Sequence, residues 1–231
     1  MSENRPAFDA LRALLNDRHS CRAFLPTPIA REDIQRVLDA AQRTASWCNA
    51  QPWKVYIAGG ARLERLRTAL QGAATGVPTP DLPWPSAYNG VYRQRRRDCA
   101  MGLYAAVGIA EGDRVASALQ ASENFRLFGA PHLAIVTTDE ALGIYGAIDC
   151  GAYVANFLTA AQALGIAAIA QAAVVAQPAL LRDHLGIAPD RRIVCGISFG
   201  TADASHPANG FRTPRAPSSD CVVWVDEEGP E

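Results

Sequence analysis

The sequence predicts an α+β fold in which a small sheet is flanked by helices. Three observations carry this. The chain begins with two stretches whose apolar residues recur at helical spacing, 6–17 and then from Thr27-Pro28 to about Thr44. Four short β-branched apolar runs follow at 54–58, 133–137, 166–170 and 192–199, with helical segments between them. Residues 145–164 are apolar nearly all round and rich in small residues, the pattern of a central, close-packed helix. Helices first, then strands alternating with helices, is the order of a sheet covered on its faces.

Each element has a local reason. Phe8, Leu11, Leu14 and Leu15 form the stripe of the first helix, and Ile34, Val37, Leu38 and Ala41 that of the second. Lys54-Val55-Tyr56-Ile57-Ala58 alternates as a strand, Gly59-Gly60 turns the chain, and Leu63, Leu66 and Leu70 mark a third helix. Residues 72–90 hold four prolines and four glycines or asparagines, which reads as a long surface loop. We treat 72–96 as an insertion; its aromatics Trp84, Tyr88 and Tyr92 either floor a pocket or pin the loop to the body. Arg93 to Arg97 is a basic run on a solvated helix face. Helices through Leu103 to Ile109 and Val115 to Phe125 follow, then the strand at 133–137. Gly165 caps the central helix, Pro178 opens a helix ending at Leu185-Gly186, and 200–231 is an extended tail. Within that tail Cys221-Val222-Val223-Trp224-Val225 is a strand in need of a partner.

Composition narrows the function. The 231 residues, 49% hydrophobic and 19% charged, fit a single globular domain over 1–231. A net charge of −1 gives no reason to expect nucleic acid or an anionic membrane as partner. No apolar run looks free enough of polar residues to span a bilayer, since Asn156, Gln162, Gly165 and Gln171 interrupt 150–176. Met1 to Asp9 lacks an apolar signal core, so a cytoplasmic location is expected. Six scattered cysteines, with no C-x-x-C pair and no His at ligand spacing, read as free thiols and not as a metal site. No G-x-S-x-G or G-x-G-x-x-G is present, so neither a hydrolase triad nor a Rossmann nucleotide site is expected, and no side chain stands out as catalytic.

What remains is Arg18-His19-Ser20-Cys21-Arg22. On an extended segment Arg18, Ser20 and Arg22 share one side. Two planar cations and a hydroxyl suit a phosphate better than a lone carboxylate. The bland alternative is a solvated basic loop.

Four stretches, taken in order, resemble the FMN-dependent nitroreductase family and its nitrobenzoate reductase branch. They are Arg18-His19-Ser20-x-Arg22, Ser46-x-x-Asn49-x-Gln51-Pro52-Trp53, the Asp149–Gly165 helix running into Ile166, and Arg215-x-Pro217. Cys21-Arg22-Ala23-Phe24-Leu25 and Phe128-Gly129-Ala130-Pro131-His132 add to the likeness to that branch. The resemblance implies a three-layer α/β/α sheet and an intertwined homodimer with exchanged C-terminal tails and FMN at the interface. It implies that Arg18, Ser20, Arg22 and Arg215 hold the phosphate and ribityl chain, with His19 either beside them or a scaffold residue. Ser46, Trp47, Cys48 and Asn49 would come from the partner subunit, and Gln51 would reach the ring or bond across the interface. Gln171-Ala172-Ala173 would lie against the isoalloxazine, with a backbone N–H of Ala172 or Ala173 on N5, and Asn124 at the pyrimidine edge. Ala45-Ser46-Trp47-Cys48 is bulkier than the Pro-Ser-Ser of many members, and Arg212 stands in for a basic residue just before the tail arginine.

The implied activity is ping-pong hydride transfer from NAD(P)H through FMN to a nitroaromatic or a quinone. Alternatives on the same scaffold are a dehydrogenase, a dehalogenase, a flavin-fragmenting enzyme, or a flavin carrier or sensor without turnover.

Overall fold

The computed structural model describes residues 5–225. Four strands, β1 (Lys54–Gly59), β2 (His132–Asp139), β3 (Ala167–Gln171) and β4 (Arg191–Gly200), form one sheet in the order β1-β2-β4-β3, antiparallel throughout. Around it lie α1 (Arg5–Asp17), α2 (Arg31–Ala41), α3 (Gly60–Gly72), α4 (Gly90–Ala106), α5 (Arg114–Ser122), α6 (Gly143–Ala163) and α7 (Pro178–Leu185).

The strand period builds three layers. Ala134 and Val136 of β2 face α2 and α6, meeting Ile34, Val37, Cys150, Tyr153, Phe157 and Ala161. Leu133 and Ile135 face the other way, onto Leu63, Leu66 and Leu70 of α3 and Leu181 of α7. Between β2 and β4 the register slips: Cys195 pairs with Val136, but Ile193 pairs with Thr137. The extra residue, Val194, reverses the parity of β4. Ile193 therefore joins the α3 side, while Ile197 and Phe199 join the α6 side. Burial pushes the thiol of Cys150, in this core, up to about 12. All six cysteines are free.

Several boundaries depart from the sequence reading. The second helix starts at Arg31 and not at Thr27-Pro28, because the Ile29 N–H is taken by the buried His132 Nε2 at 2.9 Å, which holds that segment extended. The loop spans 73–89, and α4 absorbs the rest of the expected 72–96 insertion together with the arginine run and Leu103. Gln94 Nε2 bonds Asp98 Oδ1 at 2.7 Å, an i,i+4 pair that supports helix there. The loop is pinned neither by Trp84 nor by Tyr88 or Tyr92, which are all exposed. One anchor is Asp81, whose Oδ2 accepts from Arg182 at 2.7 Å and from the Ile193 N–H at 2.7 Å, and the Thr79 N–H adds a bond to Ala176 O at 2.9 Å.

By length and composition, residues 140–163 do qualify as a membrane-crossing segment, contrary to the sequence reading. Here their Cys150, Tyr153, Phe157 and Ala161 face packs on the sheet. Residues 221–225 form no strand among the described residues and lie exposed. Residues 1–4 and 226–231 of the expected single domain and tail lie outside the described residues.

Candidate functional site

Ser20 makes a parallel bridge to Ala168, so the basic stretch runs extended along β3. That geometry sorts its side chains. Cys21 turns inward with no exposure, packing with Phe24, Phe128, Ala130 and Ile169, and burial raises its thiol pKa. Arg18, His19, Ser20 and Arg22 open onto a cavity of about 490 Å³. Its other wall is Gln162 of α6 together with Phe211, Arg212, Thr213 and Arg215 of the tail.

The tail returns to this place for two reasons. Asn209 is 7% exposed; its Oδ1 accepts the Arg22 N–H at 2.7 Å, and its Nδ2 donates to Ala23 O at 2.8 Å and Asp203 O at 2.9 Å. Two residues on, the Phe211 ring lies on α4 at Gly102, where any Cβ would come within 2.6 Å of it. The sequence reading missed Asn209 and Gly102, because neither belongs to a motif or a periodic stripe.

Four guanidinium groups thus meet at one cavity. None of Arg18, Arg22, Arg212 and Arg215 is in an ion pair among the described residues. Arg212, Arg215 and Arg22 each spend one nitrogen on backbone carbonyls, leaving most of their five N–H donors unused. Burial lowers the pKa of Arg22 from its ordinary value, a cost that an anion at this place offsets. The one carboxylate on the lining is Asp17; its backbone carbonyl, not its side chain, meets His19 Nδ1, at 3.0 Å.

Ser20 and Arg22 also line a second cavity of about 320 Å³, so the two cavities adjoin. The second is bounded by Leu103 and Tyr104 of α4, Asn124, Phe128, Ile169, and Gln171-Ala172 at the end of β3. Its lining mixes apolar side chains with the amides of Gln120, Asn124 and Gln171. Ala173 is off the lining and opens the 3-10 turn Ala173–Ala176.

Ser46, Trp47, Cys48, Asn49 and Gln51 lie elsewhere in the chain. The Trp47 N–H reaches the Asp149 carboxylate at 3.2 Å, and the Trp47 ring packs 4.4 Å from Tyr145. Gln51 bonds within the chain, its N–H to Ser46 Oγ at 2.9 Å and its Oε1 accepting from Gln42 at 3.0 Å. Asp149 and the cleft residue Gln162 sit thirteen positions apart on α6. At 1.5 Å per residue that is about 20 Å.

The backbone marks the same two regions. Among the described residues, every non-glycine with positive φ falls at Cys48, Asn49 and Gln51 or at Leu127 and Phe128. Such conformations cost about 1–3 kcal/mol each and collect at functional sites.

The nitroreductase family model matches residues 15–201. The chain belongs to the nitroreductase family. Within that family it is 35% identical to nitroreductase NfnB of Mycolicibacterium smegmatis over 209 residues, covering 90% of this chain and 89% of the relative. It is 32% identical to a 4-nitrobenzoate reductase of Pseudomonas putida, covering 90% of this chain and 92% of the relative. The fold superposes with a TM-score of 0.90 on the crystal structure of the FMN-dependent nitroreductase NfnB from Mycobacterium smegmatis in complex with NADPH, at 34% identity, covering 95% of this chain and all of the other. The α+β architecture expected of a nitroreductase is therefore the one this chain adopts.

Proposed function

We propose that this nitroreductase-family chain is an FMN-dependent NAD(P)H oxidoreductase that reduces nitroaromatics or quinones, and that it works as a homodimer. One observation carries the reading: four arginines with no ion pair among the described residues line one cavity, and an adjoining cavity is lined by aromatic, aliphatic and amide side chains. A dianionic phosphate fits the first, and a planar ring with polar edges fits the second. The donor set therefore suits FMN. The names of its relatives, a nitrobenzoate reductase and an FMN-dependent nitroreductase with NADPH, support the same conclusion.

Held there, FMN would supply hydride-transfer chemistry between a reduced nicotinamide and an electron-poor acceptor. The protein's part is placement. Arg18, Arg22, Arg212 and Arg215 would neutralise the phosphate through charge-assisted hydrogen bonds, with the Ser20 hydroxyl beside them. Leu103, Phe128 and Ile169 would exclude water from the ring, and the lining amides would hold its polar edge. The backbone N–H of Ala172 or Ala173 would meet N5.

Ser46, Trp47, Cys48, Asn49 and Gln51 are assigned to the partner's cleft. Their distance from this protomer's own arginines supports that assignment. So do the apolar surfaces a monomer leaves bare: Phe8, Leu11 and Leu15 on α1, Ile144 and Ile148 on α6, and Val222 to Val225 in the tail.

The deciding experiment is an absorption spectrum of the purified protein, before and after NADPH under anaerobic conditions. Flavin bands that bleach are expected. Bands that persist indicate a carrier or another reductant, and a chain that takes up no FMN overturns the reading. Sedimentation should give a dimer; a monomer that retains FMN would refute the partner assignment.

A further inference from the structure

Ser198 is a fully buried polar residue near the C-terminal end of β4, and neither the sequence motifs nor the cavity linings account for it. It is the far end of a hydrogen-bonded relay. Its Oγ lies 2.5 Å from Gln171 Oε1. Gln171, itself 3% exposed, places Nε2 at 3.1 Å from the backbone carbonyl of Asn124 and at 3.2 Å from Asn124 Oδ1. Asn124 then donates from Nδ2 to the backbone carbonyl of Ala121 at 3.0 Å.

The relay has only one direction. A backbone carbonyl can only accept, so the Gln171 atom facing Asn124 O must be the NH₂ group. Gln171 Oε1 therefore faces Ser198, and the Ser198 hydroxyl must donate. The same reasoning at Ala121 O makes the Asn124 atom there its NH₂ group, with Oδ1 turned to Gln171. One of the two Asn124 Nδ2 hydrogens is spent on Ala121. The other belongs to a residue on the lining of the second cavity, alongside Ala121 and Gln171.

The geometry points to Ser198 as a positioning residue: by holding Gln171 Oε1 it keeps Gln171 Nε2 on Asn124, and so steadies an Asn124 amide whose second Nδ2 hydrogen is a donor for the bound ring. The ligand chemistry selected is a planar heterocycle presenting an acceptor edge, a carbonyl oxygen or an unprotonated ring nitrogen. This rests on the FMN reading above and adds to it a polarity at one named atom. Without the Ser198 donor, Gln171 Oε1 is left buried and unmatched. Gln171 then loses the contact that holds its oxygen, and its hold on Asn124 loosens.

The test compares Ser198→Thr with Ser198→Val, which match in shape and differ in the hydroxyl, measuring FMN dissociation by flavin fluorescence. Ser198→Thr should bind as wild type does. Ser198→Val should bind about threefold to tenfold more weakly, the worth of one neutral hydrogen bond. That weakening should vanish when Asn124→Ala is already present, since the two act as one unit. The absorption envelope of the bound flavin should shift in Ser198→Val and not in Ser198→Thr. If the Val variant does not fold, Ser198→Ala makes the same comparison. Equal binding by the Thr and Val variants overturns the proposal, as does a Val effect that persists in full beside Asn124→Ala. A wild-type chain that takes up no FMN overturns the underlying reading instead, and is seen before any variant is made.

Discussion

The Arg22 backbone N–H donates to the Asn209 side chain across 2.7 Å, joining two arginine-bearing segments 187 residues apart in sequence. Asn209 answers with two further donations, to Ala23 O and Asp203 O. One buried amide thereby holds the basic stretch against the tail. Asn209→Ala should lower stability by about 1–3 kcal/mol, the cost of leaving buried backbone groups unpaired. It should also weaken FMN binding although every arginine remains. Urea denaturation and a flavin titration measure the two effects, and wild-type affinity in this variant would show that the tail finds its place without the amide.

Removing a cation at the phosphate end should act on binding and little else. Arg18→Ala is expected to cost about 1.5–3 kcal/mol of FMN affinity, the range for a hydrogen bond to a charged group. Arg215→Ala should change affinity in the same direction by less, because that guanidinium is exposed and solvent screens it. Fluorescence titration resolves both, and unchanged affinity in the pair would remove the phosphate assignment.

Asp81 predicts a stability effect far from the cleft. Its side chain is 7% exposed against 20% for Arg182, and it also satisfies the Ile193 N–H. Asp81→Ala leaves a largely buried cation without its carboxylate and the Ile193 N–H without its acceptor, which should cost about 3 kcal/mol. The midpoint of chemical denaturation reads this directly. A change under 1 kcal/mol would mean that the 73–89 loop is held by other contacts.

His132 makes stability depend on pH. Burial lowers its pKa below the ordinary value of 6.5, and its Nε2 must stay unprotonated to accept the Ile29 N–H. An unfolded chain therefore binds a proton here more readily than the folded one. The His132 contribution is complete above pH 6.5 and is lost as pH falls from there through the lower folded value. Thermal melts of the apoprotein should show Tm dropping over that interval. His132→Gln should flatten that part of the profile, and an unaltered slope would assign it to other groups.

Much of this molecule can be read from residue spacing. Leu63, Leu66 and Leu70 lie three and four apart, so α3 has one core face whatever surrounds it. Pro178 and Gly186 bracket α7 by their own backbone preferences, Gly186 at φ 67°. The alternation Ser20, Cys21, Arg22 puts two polar side chains on one side as soon as the segment is extended. Those effects act within a few residues, and any similar sequence would share them.

The departures have the opposite character. The start of α2 depends on His132, 103 residues away, and one anchor of the loop on Arg182, 101 residues from Asp81. Ser198 looks like a stray polar residue in an apolar strand until the β3–β4 register sets it opposite Ile169, within reach of Gln171. Even the faces of β4 follow from one extra residue, Val194, which a period-two pattern cannot foresee. By itself the sequence determined where most helices and strands lie and that Arg18, Ser20 and Arg22 share one side of an extended segment. Residue spacing says nothing of Arg212, Arg215, Gln171 or Asn124, which only the family resemblance tied to that cluster; the tertiary structure brings the two arginines to its cavity and the two amides to the cavity beside it. The reason is physical: periodicity is a property of neighbours along the chain, whereas a hydrogen bond between distant segments exists only once the sheet register has set their positions.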